Sequence, residues 1–134
     1  MAYSNVSQTI PGASITAEAD EDLEAGDLVK FATDGKVDRS ATAGELVHGI
    51  ALSDANDGDV VAVGFPIGVY ECVASAAITR GANVASTGTN TDANKGRVKT
   101  AASGNNILGI ALNAASAAGD FVSVYFIPGL GTVS

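Results

Sequence analysis

From Asp27 onward the chain is a succession of short apolar runs separated by turns. "DLVKF" and "KVDRS" flank Thr33-Asp34-Gly35, and Asp-Gly between two such runs signals a hairpin. "ELVHGIAL" reads as an apolar strand. "DVVAVGF" alternates and puts Val61, Val63 and Phe65 on one face, and "GVYECVA" follows as another strand. The second half opens with "ITRGANVAS" and continues through "GRVKTA", "NILGIAL" and "DFVSVYFIP". No stretch of about ten residues keeps the 3.6-residue period of a helix. Sixteen glycines and only three prolines punctuate the runs, so the chain is expected to be all-β with many tight turns.

The pattern repeats. "HGIALSDANDGD" at 48–59 returns as "LGIALNAASAAGD" at 108–120. Gly44 and Gly49 match Gly104 and Gly109 at an offset of 60. Past the polar turn the offset is 61: Gly58-Asp59 matches Gly119-Asp120, and Val61, Val63 and Phe65 match Val122, Val124 and Phe126. Gly35-Lys36-Val37 matches Gly96-Arg97-Val98, and Gly26 to Val29 loosely matches Gly81 to Val84 at an offset of 55. A duplicated ligand loop keeps its polar residues, yet "SDAND" has drifted to "NAASAA". What persists is the pleat pattern and the turn glycines, which set backbone geometry. The repeat is therefore structural: two similar β units, about 23–74 and 75–134, within one β domain at 23–134.

Residues 1–22 are expected to form an extended N-terminal arm and an acidic loop. Pro11-Gly12 marks a turn, and "VSQTI" and "SITAEA" alternate around it as short or edge strands do. Residues 18–27, "EADEDLEAGD", hold six acids and are expected to be solvated unless a cation or a basic partner covers them. Tyr3, Val6, Ile10 and Ile15 are the apolar residues by which such an arm would anchor to a partner, as a strand added to an exposed sheet edge. The competing expectation is that the arm folds back on its own barrel.

Composition narrows the function. At 134 residues one domain is expected, but much of the 46% apolar content is Ala, and Trp is absent. Such a core is light, and oligomer or partner contacts would complete it. The formal charge of −8 is uneven: residues 1–60 carry 12 acids against 3 bases, the rest 3 acids against 4. Without a basic stripe, no nucleic-acid partner is expected. No apolar run reaches the ~20 residues of a membrane helix, and the N-terminus has neither a secretory nor a myristoylation pattern. A chain made in a cytoplasm, with no membrane partner, is the expectation.

Candidate chemistry is sparse. Counted from Asp54, "DANDGD" has Asp59 where an EF-hand needs Gly, and Phe65 where it needs Glu. His48 is the sole histidine and Cys72 the sole cysteine; no metal-ligand spacing, nucleophile–base pair or phosphate loop surrounds either. His48 reads as a strand-surface residue and Cys72 as a buried small apolar one. No catalytic, cofactor-binding or metal site is nominated, no cofactor is expected, and the chain is not expected to be an enzyme.

Taken in order, "AGDLVKF", the Gly-Lys-Val hairpin, "LVHGIALSDANDGDVVAVGFPIGVYE" and "ITRGANV…GRVKTAASGNNILGIALNAASAAGDFVSVYF" resemble the capsid decoration, or cement, proteins of tailed bacteriophages, a family first catalogued as a domain of unknown function. The resemblance covers residues 23–127. It implies a small β-barrel or β-tulip-like domain that binds the outer surface of an assembled head. It also implies a homotrimer near local three-fold positions, clamping neighbouring major capsid protein subunits. The expected function is thus that of a structural virion protein that stabilises the capsid. A β-rich carbohydrate-binding or adhesive module displayed on a virion is the alternative.

Overall fold

The structure, a computed structural model, describes residues 14–87 and 95–134. Every regular element among them is a strand, as the two-residue periodicity requires. The N-terminal unit comprises β1 (Ser14–Ala19), β2 (Leu28–Phe31), β3 (Lys36–Arg39), β4 (Gly49–Ala51) and β5 (Val60–Gly64), closed into a barrel in the order β1-β3-β2-β4-β5. β1 closes it by running antiparallel to β5, with Ile15 opposite Val63, and parallel to β3, with Ala19 opposite Val37. From Ser14 on, the segment expected to be an extended arm is therefore a barrel stave.

The C-terminal unit comprises β6 (Gly68–Val73), β7 (Asn83–Ser86), β8 (Val98–Thr100), β9 (Gly109–Ala111) and β10 (Phe121–Phe126), in the order β6-β10-β9-β7-β8. Its strands take the places of β1, β2, β3, β4 and β5 in turn. The parallel contact that seals the first barrel is reduced here to one bridge, Ala74 to Val98. Loop bonds repeat as well: Ala19 N donates to the Asp59 carbonyl and Ala74 N to that of Asp120, at 2.8 and 2.9 Å. The bridge between Leu23 and Ala55 recurs as Ile78 to Ala115. The correspondence of strands thus runs from β1 to β5 in the first sheet and from β6 to β10 in the second.

The interior explains the alanines. A five-stranded barrel has a narrow bore, because barrel diameter grows with strand number. The N-terminal interior is Ala17, Ala19, Ala51 and Ala55 with Val29, Val37, Val61, Val63 and Leu23, which are small enough to interdigitate there. The C-terminal interior is larger: Tyr70 and Phe126 meet edge to face, 5.7 Å between centroids, over Cys72, Val84, Val98, Val122 and Val124. Leu28, Val47 and Ile50 of the N-terminal unit belong to this second cluster. Along β2, Leu28 enters one cluster and Val29 the other; along β4, Ile50 and Ala51 divide likewise. At Leu28-Val29 and at Ile50-Ala51 these strands are buried on both faces, one inside their barrel and one against the neighbouring unit, and burial of each such Val, Leu or Ile contributes about 1.5–3 kcal/mol.

The face predicted for Val61, Val63 and Phe65 holds for the valines and fails at Phe65, which is 37% exposed while its counterpart Phe126 is fully buried. β5 ends at Gly64, so strand alternation does not reach Phe65. Its carbonyl instead accepts the Tyr70 hydroxyl at 2.7 Å. Gly64 is bare by necessity: a Cβ there would lie 2.6 Å from Tyr70 Oη.

Candidate functional site

Among the nominated anchors, Ile15 lies in β1, half-buried against the N-terminal core. Tyr3, Val6 and Ile10 lie outside the described residues. His48 is an exposed residue just before β4; its Nδ1 accepts the Phe31 amide at 2.9 Å, and its ring stacks on Phe31 at 4.9 Å and 17°. That bond makes Nε2 the protonated nitrogen of the neutral ring. Cys72 is fully buried, and burial pushes its thiol well above the ordinary range, with the charges of Asp27 and Glu71 acting in the same direction. The reactive thiolate is suppressed at that position.

Two of the acids that invited a metal reading, Asp54 and Asp59, accept backbone amides, as does the neighbouring Asp22. Asp54 Oδ1 accepts the Ala25 amide at 2.9 Å, Asp59 Oδ2 accepts Asn56 N at 3.1 Å, and the Asp57 amide donates to Asp22 Oδ1 at 2.9 Å. Asp120 does for its loop what Asp59 does, with Oδ2 accepting Ser116 N and Oγ and Ala117 N at 2.7–3.1 Å. These donors hold the Asp120 carboxyl below the usual range. The glycine before each aspartate has a positive φ, 91° at Gly58 and 92° at Gly119, so Gly-Asp persists through the repeat because one residue permits the turn and the next closes it. Among the described residues no group of three His, Cys, Asp or Glu is arranged to hold a metal ion.

The acidic stretch 18–27 is less solvated than its composition suggests. The parallel pairing of β1 with β3 sets Lys36 beside Glu18 and Asp20, at 3.2 and 3.9 Å, and Arg39 on Glu21 at 3.1 Å. Asp27 goes further: it is buried at the junction of the two units, with Oδ2 accepting the Glu24 amide at 2.8 Å. A Cβ on Gly96 of the opposite unit would come within 2.9 Å of its Oδ1. Burial pushes the Asp27 pKa up to about 7 against the pull of that amide and of Arg39 and Arg97. Backbone bonds span the same seam, from Leu28 N to the Gly96 carbonyl and from Gly44 N to that of Ser86. Composition showed the acids without showing which of them a second unit covers.

What remains exposed is apolar and acidic surface. Phe31, Leu46, Val60, Phe121 and Tyr125 are each 46–72% exposed. One groove, about 460 Å³, runs between β1 and the β2–β3 hairpin, lined by Ile15, Thr16, Ala17, Phe31 and residues 32–35. A smaller one, about 160 Å³, lies where the units meet, lined by Leu46, Pro66, Ile107, Ile127 and Pro128. A third is bordered by Asp22, Glu24, Asp54 and Asp59. The first two grooves are mainly apolar and suit a protein surface, while the third is edged by Asp22, Asp54 and Asp59, whose carboxylates accept backbone amides.

A family model described as phage cement protein matches residues 7–126. No curated protein matches the chain. Among solved structures, the N base of head fiber gp8.5 of bacteriophage phi29 is similar, with a TM-score of 0.67 and 21% identity over 85% of this chain and 92% of that one. The likeness is one of fold.

Proposed function

This chain belongs to the phage cement protein family, and from that premise we propose that it decorates a bacteriophage head, binding the outer surface of the assembled capsid and clamping neighbouring major capsid subunits. The observation that carries the reading is the family match, which runs through both β units. The exposed apolar surfaces agree with a structural role. In this reading the protein acts as a homotrimer at local three-fold positions, and the many equivalent sites on one shell let avidity hold what a single weak contact would not. Tyr3, Val6 and Ile10 are the partner-binding anchors of the N-terminal arm, with Ile15 contributing from β1.

The test is co-sedimentation with purified expanded heads lacking the protein, followed by heating and dilution of bare and decorated heads. Saturable binding and a raised disruption temperature are expected, with weaker binding after removal of residues 2–13. Absent binding, or equal resistance of bare and decorated heads, refutes the reading. A hit on a glycan array together with absent head binding would favour the carbohydrate-binding alternative.

A further inference from the structure

The junction between the two β units has two sides, and each side has a counterpart elsewhere that nothing among the described residues fills. The N-terminal unit presents Leu28, Val47 and Ile50, all buried. The C-terminal unit receives them beside Tyr70, Ser86 and Gly96: Tyr70 closes over Gly64, Ser86 Oγ donates to the Thr42 carbonyl at 2.8 Å, and the Gly96 carbonyl accepts Leu28 N at 2.8 Å. By the register of the repeat, the presenting positions recur in the C-terminal unit as Asn83, Ile107 and Ile110, followed by Leu112 as the counterpart of Leu52. There Asn83 and Leu112 are exposed and the two isoleucines half-buried. The receiving positions recur in the N-terminal unit as Ile15, Phe31 and Gly35, and these three line the open groove of about 460 Å³.

We propose that a second copy of this chain fills that groove, head to tail, laying the Ile110, Leu112 and Tyr125 face of its C-terminal unit against Ile15, Phe31 and Gly35. The fold already makes this contact once, within the chain. The side chains at its tightest point are exchanged in a consistent sense. Within the chain, a tyrosine on the receiving side requires glycine at position 64; between copies the receiving residue is the shorter Ile15, and the position equivalent to Gly64 carries Tyr125. Charge agrees. Head-to-tail contact sets the half with 12 acids and 3 bases against the half with 3 acids and 4 bases, whereas a two-fold contact through the groove would set the acidic half on itself. A contact between different patches leaves one face and one groove free at the ends of any open chain, so it is satisfied only by closing into a ring. The inference deepens the homotrimer expectation by naming its interface, and it stands apart from head binding.

The test is the solution mass of the full chain and of two variants, Leu112→Asp on the presenting face and Phe31→Asp in the groove. The wild type is expected at a multiple of 13.3 kDa, three-fold for a trimeric ring, and each variant at the mass of one chain. Mixing the two variants restores one intact contact and is expected to give a particle of twice the chain mass and nothing larger. Circular dichroism and thermal melting verify that both variants fold. As an independent measurement, Thr33→Cys on one copy and Asn83→Cys on another should join by a disulfide when mixed, in preference to like pairs; Cys72, being buried, does not compete. A monomeric wild type, variants that keep the oligomer, like-with-like cross-linking, or loss of association only when residues 2–13 are removed would each overturn the proposal, the last by assigning the groove to the arm. Head binding is scored separately: wild type that binds heads while remaining a monomer sinks this inference alone.

Discussion

Replacing Asp27 by Asn tests how the junction between the units is held. The carboxyl is 5% exposed and titrates near 7 in the fold, against about 3.8 for the free side chain. Below about pH 4 both folded and unfolded chains carry it protonated. As pH rises, the unfolded chain ionises first and gains free energy that the folded chain does not share until pH 7. The sign is therefore a loss: stability is complete below the unfolded pKa and falls until the folded pKa is passed. At about 1.4 kcal/mol for each pH unit of that interval, the loss at pH 8 is on the order of 4 kcal/mol, a large share of the roughly 5–15 kcal/mol that holds a domain together. Asn keeps the carbonyl oxygen that accepts the Glu24 amide and places no charge at the seam. Urea denaturation of wild type and Asp27→Asn between about pH 4 and pH 8 reads the difference directly, and the other carboxylates cancel in the comparison. The two proteins should be alike at the acid end, with the variant progressively more stable above it. A difference that does not change with pH would refute the assignment of a buried, neutral carboxyl to the junction.

Three further outcomes follow from the packing. Gly64→Ala should lower the melting temperature and cost about 1–3 kcal/mol, the usual range for an overpacked core, because the new methyl displaces Tyr70 from the Phe65 carbonyl; an unchanged melt would show that the seam has slack. Asp120→Ala should raise amide hydrogen exchange at Ser116 and Ala117, and in the wild type the same protection should be lost as pH falls through the lowered Asp120 pKa; equal exchange in both proteins would mean the carboxylate is not closing that loop. Cys72 should remain unlabelled by thiol reagents until the protein unfolds, so that labelling rises with denaturant, and full labelling of the native protein on mixing would contradict its burial.

How much of this was legible beforehand differs from element to element. Thr33-Asp34-Gly35 announced the β2–β3 hairpin, and the structure pairs Phe31 with Val37 across it with Gly35 at φ 75°. The "GIA" runs became β4 and β9 at the repeat's own spacing. The residues 14–19 look like part of an arm in sequence, because their parallel partner β3 lies across a turn and an intervening strand, and long-range parallel pairing leaves no local trace. Asp27 went unmarked among its acidic neighbours, since its burial depends on Gly96 in the other unit.

By itself the sequence determined that the chain is built of strands and that the Gly-Ile-Ala and Gly-Asp pattern recurs at a fixed offset. Each of these rests on interactions between residues near in the chain: the two-residue period, a positive φ at glycine, a carboxylate reaching amides three or four residues away. Tertiary structure alone decided that the first barrel is sealed by β1 and that Leu28 and Ile50 turn outward into the neighbouring unit. It also decided that the same positions in the second unit lack such a neighbour, leaving Asn83 exposed and Ile110 half-buried. Alternation says which residues share a face of a strand. Which of two buried faces meets its own barrel and which meets a neighbour is set by how the sheets close and stack, and that information is carried by contacts tens of residues apart.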